Sequence, residues 1–90
     1  MENTSDFHKQ QVLLHNRREI MTELWIEPWG DRIIMEPDNS YYVVGVGPSD
    51  GSIEIRLADD SFAVYGWSGS RITIFDGSLN KLWESPVPVP

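Results

Sequence analysis

The chain has 90 residues, no cysteine and a net charge of −7, which allows one small domain and removes disulfides and thiolate metal sites. The first twenty residues are neutral, and the remaining seventy hold eleven acids against Arg32, Arg56, Arg71 and Lys81 alone. Four scattered cations cannot neutralise a phosphate backbone or an anionic bilayer, so nucleic acid and membrane are excluded as expected partners, while a basic protein partner fits.

Residues 1–22 read as an N-terminal extension, helical or disordered. Phe7, Leu14 and Met21 recur every seven residues with Leu13 and Ile20 beside them, as on one helix face, and Thr4, Ser5 or Asp6 offers a cap. Asn16, Arg17 and Arg18 interrupt that pattern. Met21 is a second plausible start, so residues 1–20 read as an optional extension. No apolar run reaches the ~20 residues of a spanning helix and no signal-peptide core precedes the domain, so a cytoplasmic location is expected.

Residues 23–84 read as a single β domain. Turn residues fall at 29–31, 37–39, 49–51, 59–60, 68–69 and 76–77, the spacing of a sandwich or barrel rather than of βαβ units. Seven strands are expected, at about 23–28, 32–36, 41–47, 52–58, 61–67, 70–76 and 79–84. Ile53, Ile55 and Leu57 alternate with Glu54 and Arg56, and Ile72 and Ile74 alternate with Arg71 and Thr73. Asp50-Gly51 and Asp76-Gly77 are tight-hairpin signals. No gap holds a crossover helix, so the expected fold is all-β: a small antiparallel meander closing into a barrel or sandwich. Residues 85–90, SPVPVP, read as a Pro-rich solvated tail, because proline cannot donate to a ladder.

The segment Gly66-Trp67-Ser68-Gly69-Ser70 comes within one residue of the Gly-x-Ser-x-Gly nucleophile elbow. An elbow leads into a helix, whereas a strand pattern follows here, and the only histidines, His8 and His15, lie in the extension. The segment is therefore read as a turn, with Gly69 at positive φ and Gly66 relieving crowding. His8 and His15 are too far apart for an i, i+4 metal pair. The acidic turns lack the calcium-loop pattern, and the glycines of VVGVGPSDG lead into a strand rather than a helix, so no metal or cofactor is expected.

Ten aromatics remain. Alternation sets Trp25 opposite Leu24 and Ile26, Phe75 opposite Ile72 and Ile74, and Tyr65 with Trp67 opposite Phe62 and Val64. Rings on an outward face are interface candidates, so Trp67, Tyr65, Trp25, Phe75 and Trp83 are the expected binding residues. The reading is a non-catalytic protein-interaction module that binds a basic partner or associates with itself. The alternatives are a carbohydrate-binding module using exposed Trp and Tyr, and a small hydrolase with acidic catalytic groups.

Overall fold

The structure, a computed structural model, describes residues 7–90. These residues form eight β-strands and no helix: β1 (Phe7–His15), β2 (Thr22–Glu27), β3 (Asp31–Met35), β4 (Ser40–Pro48), β5 (Glu54–Leu57), β6 (Ser61–Tyr65), β7 (Arg71–Asp76) and β8 (Lys81–Glu84). Two four-stranded sheets result, one ordered β1-β4-β7-β8 and the other β3-β2-β6-β5. Leu14, Tyr41, Val43, Ile72 and Ile74 of the first sheet and Leu24, Ile26, Met35 and Val64 of the second form one buried cluster. The two sheets therefore face each other across a shared core, and no barrel closes.

All seven expected strands are present, with ends shifted by two residues at most. The expected N-terminal helix is not. Residues 7–15 form β1, paired antiparallel with β4 from Phe7↔Pro48 to His15↔Ser40. The seven-residue recurrence is a coincidence of strand parity: Leu14 points into the core, while Phe7 and Met21 are 62% and 60% exposed. The proposed caps at residues 4–6 lie outside the described residues.

The topology is not a meander. β1–β4, β4–β7 and β7–β8 are antiparallel, as are β2–β3 and β5–β6, but β2 and β6 run parallel. A parallel pair needs no helix here, because the chain passes through the opposite sheet by way of β4 before returning. For the same reason Asp50-Gly51 joins β4 of one sheet to β5 of the other and is not a hairpin. Asp76-Gly77 does open the β7–β8 hairpin. The Asp76 carboxylate accepts the amides of Ser78 and Asn80, both at 2.9 Å, and Leu79 takes a φ of 68°. These hydrogen bonds, chiefly from Asn80, hold the Asp76 carboxyl below its ordinary pKa.

Asn16 organises the first passage between sheets. It is 1% exposed, and its amide donates to the carbonyls of Ile20, Met35 and Glu36 at 3.0, 3.0 and 3.2 Å. Its carbonyl accepts the Arg18 amide and the Thr22 hydroxyl. The terminal SPVPVP is likewise bound rather than freely solvated. The Ser85 amide donates to the Ile72 carbonyl, Val89 donates to Ser70, and Gly69 donates to Val89. Prolines at 86, 88 and 90 leave the amides of Ser85 and Val89 free to face β7 while the residues without a donor alternate with them.

Candidate functional site

The five expected binding residues do not come together. Trp25 stands on the outward face of the second sheet, with the Arg32 guanidinium 5.6 Å from its ring centre and its Nε1 donating to Glu23 at 3.2 Å. Tyr65 is on the same face under Arg56, which sits 4.8 Å above its ring and is paired to Glu54 at 2.7 Å. That hydrogen bond and charge raise the Arg56 pKa. Trp83 joins the two sheets at one end, packing on Trp29 at 5.3 Å and donating to Asp31 at 2.8 Å.

Trp67 does not share a face with Tyr65. β6 ends at Tyr65, Gly66 turns the chain, and the indole enters the gap opposite Gly45 and Gly51. A Cβ at Gly51 would lie 1.9 Å from Trp67 Cδ1, and one at Gly45 would lie 2.9 Å from Cζ3. Its Nε1 donates to the Pro48 carbonyl at 2.8 Å, and His8 meets it edge-on at 5.6 Å. The glycines of VVGVGPSDG thus make room for a side chain. Gly69 has a φ of 84° in the turn, as its sequence position suggests.

Phe75 alone lies on a continuous apolar surface, the outward face of the first sheet. The registers align three rows across it: Lys9, Val46 and Arg71; Gln11, Val44 and Thr73; Leu13, Tyr42 and Phe75. Leu79 closes one side from the β7–β8 turn. All of these but Leu13 and Arg71, which lie at its margin, line a concave groove of about 420 Å³. Leu13, Val46 and Leu79 are 55%, 44% and 68% exposed. Lys9 and Arg71 edge this face, with Lys81 and Glu84 bonded at 2.6 Å on β8. Lys81 lowers the Glu84 pKa. Lys9, Arg71 and Lys81 therefore border an apolar floor, with Glu84 paired to Lys81.

Strand pairing also assembles a cluster that sequence distance hid. His15 stands opposite Ser40, its Nδ1 2.7 Å from Ser40 Oγ and its Nε2 3.0 Å from Asp38 Oδ1. The residue types are those of a serine hydrolase relay. The Asp38 side chain, however, is 91% exposed, so this arrangement lies open to water rather than in an enclosed site. The neighbouring recess of about 260 Å³ is lined by Glu36 and Asp76. The Ser78 and Asn80 amides beside it already bind Asp76, and Asp76, with its lowered pKa, is ionised at neutral pH and has no proton to give as a general acid.

Among the described residues, no three His, Asp or Glu side chains are grouped to hold a metal ion, and no helix is long and apolar enough to cross a membrane. No protein family, curated protein or solved structure matches the chain.

Proposed function

We propose that the protein is a non-catalytic interaction module whose contact surface is the groove on the outward face of the first sheet. The observation that carries this reading is the outward apolar stripe of exposed Leu13, Val46 and Leu79 and half-buried Tyr42, Val44 and Phe75 on a protein this small. Monomeric soluble domains rarely leave large contiguous apolar patches uncovered, and such patches mark contact sites. The charge around the stripe refines the expected partner. Overall acidity favours a basic protein, and the acidic turns at Asp38, Asp50, Asp59 and Asp60 suit one. The groove, edged by Lys9 and Arg71, suits apolar side chains flanked by acids.

Carbohydrate binding is the second reading, favoured by one observation: Tyr42 and Phe75 are direct cross-strand neighbours on a concave floor with Gln11 and Thr73 beside them. Val46→Glu and Phe75→Ser separate the possibilities. Partners captured by the wild-type chain and rebuilt from purified components should lose binding to both variants while the fold persists. Unchanged protein binding by both variants would remove this face as the contact surface. Retention on polysaccharide that Phe75→Ser abolishes would favour the second reading.

A further inference from the structure

We infer that β1 is a self-pairing edge, along which a second copy of this chain adds its own β1 antiparallel, extending the first sheet to eight strands across a two-fold axis at Gln11. The inference concerns a sheet edge and stands apart from the groove's partner.

Two open sheets have four edges: β1, β8, β3 and β5. Natural proteins blunt edges by keeping them short, charging them or placing proline on them. Three edges here follow that rule. β3 has five residues and carries Asp31 and Arg32; β5 has four and carries Glu54 and Arg56. β8 has four residues with Lys81 and Glu84, and it runs into Pro86, Pro88 and Pro90. β1 follows it least, with Lys9 as its one ordinary charge. Its nine residues, FHKQQVLLH, contain no proline and no acid. Its register with β4 runs without a break, so no bulge turns it away. The loop after β4 reaches β1 through side chains alone, the Gly51 carbonyl bonding His8 and Gln10 and the Ile53 amide donating to Gln10; among the described residues, no turn or loop backbone group bonds to the β1 backbone.

The occupant follows from charge and register. Two copies at −7 each repel, and they approach at least cost along a strand whose only ordinary charge is Lys9. Full antiparallel overlap pairs Gln11 with itself across the axis, Lys9 with Leu13 and Phe7 with His15. No like charges then face each other, whereas sliding the axis to Lys9 would oppose two ammonium groups. A two-fold axis normal to the sheet keeps side-chain parity, so both outward faces end on the same side and the two grooves become neighbours. A single edge contact is small beside the ~1,600 Å² of a standard stable interface, so the expected dimer is weak and concentration-dependent.

The register supplies its own test. The chain has no cysteine, so Gln11→Cys introduces one thiol on an exposed, outward position. Directly opposed residues in an antiparallel pair have Cα atoms about 4.5–5.5 Å apart, within disulfide reach. Mild oxidation of the full-length variant should give a covalent dimer in high yield, and Leu13→Cys, which faces Lys9, should give little. In sedimentation over a concentration series, Gln11→Glu should weaken association by placing two carboxylates on the axis. Leu13→Glu should strengthen it roughly threefold to tenfold by pairing with Lys9 twice. Association through the apolar face would instead be weakened by Leu13→Glu. A strict monomer near millimolar concentration with no cross-linked Gln11→Cys overturns the inference. So does equal cross-linking at positions 11 and 13, or capture of a different protein's strand on β1 in place of a second copy.

Discussion

Asn16→Ala is the substitution expected to damage the fold most for its size. The side chain joins the end of β1, the β1–β2 passage and the end of β3, and it is 1% exposed. Its removal strands the Met35 carbonyl and the Thr22 hydroxyl, whose bonds to Asn16 at 3.0 and 3.3 Å are buried. It also cuts the part-buried bonds to Ile20, Glu36 and Arg18. A stranded buried polar group costs about 1–3 kcal/mol. Two of them, with some relief from water entering beside Ile20, give about 3 kcal/mol. A domain of this size has only about 5–13 kcal/mol in total. The corresponding fall in Tm is roughly 12–24 °C. Urea titration followed by circular dichroism measures the loss. A change below about 1 kcal/mol would refute the account of Asn16 as the organiser of this junction. Asn16→Asp adds a second check. It keeps an acceptor but points a buried carboxylate at three carbonyls, which raises its folded pKa. Relative to wild type, that variant should lose stability as pH rises above about 4.

A chain beginning at Met21 lacks β1, Leu14 and Asn16, and it should give no cooperative melt; a folded signal close to that of the full chain would restore the reading of residues 1–20 as optional. Gly51→Ala puts a Cβ 1.9 Å from Trp67 Cδ1 and should cost about 1–3 kcal/mol in a urea titration, with loss of the indole bond to Pro48. Asp76 has a lowered folded pKa, so its contribution to stability is present above the ordinary carboxylate pKa and is lost as pH falls through the folded value. Urea midpoints measured between about pH 5 and pH 2 should therefore decline less steeply for Asp76→Ala than for wild type. Ser40 should resist a fluorophosphonate probe, because its histidine leans on a solvated carboxylate; stoichiometric labelling that His15→Asn abolishes would reopen the hydrolase reading.

The strands from residue 22 onward were legible because one face of most of them is polar, so period-two alternation marks both strand and parity. β1 was not. Val12 and Leu14 point inward while Phe7 and Leu13 point outward, and apolar residues on both faces erase the alternation. Pairing order was illegible for a different reason. Asp50-Gly51 and Asp76-Gly77 are the same dipeptide, yet only the second closes a hairpin. What separates them is tertiary: the Gly51 backbone lies against the Trp67 indole, a residue sixteen positions away in the chain. Counting aromatics likewise could not tell an enclosed ring from an outward one, since Trp67 is drawn inward by glycines at 45 and 51.

The groove did leave a mark in the sequence, in the run Tyr41-Tyr42-Val43-Val44-Gly45-Val46-Gly47. Near-continuous apolar strands belong to sheets covered on both faces. A fold of two facing sheets covers only one face of each. β4 sends Tyr41 and Val43 into the core and presents Tyr42, Val44 and Val46 on the other side, next to Phe75 and Leu13. Its composition is that of a strand in a three-layer protein, placed in a two-layer one. The outward polar residues of the second sheet (Glu23, Arg32, Glu54 and Arg56) form ion pairs with one another across or along their strands. The first sheet has no such arrangement along β4, and the physical demand for a third layer falls on its groove.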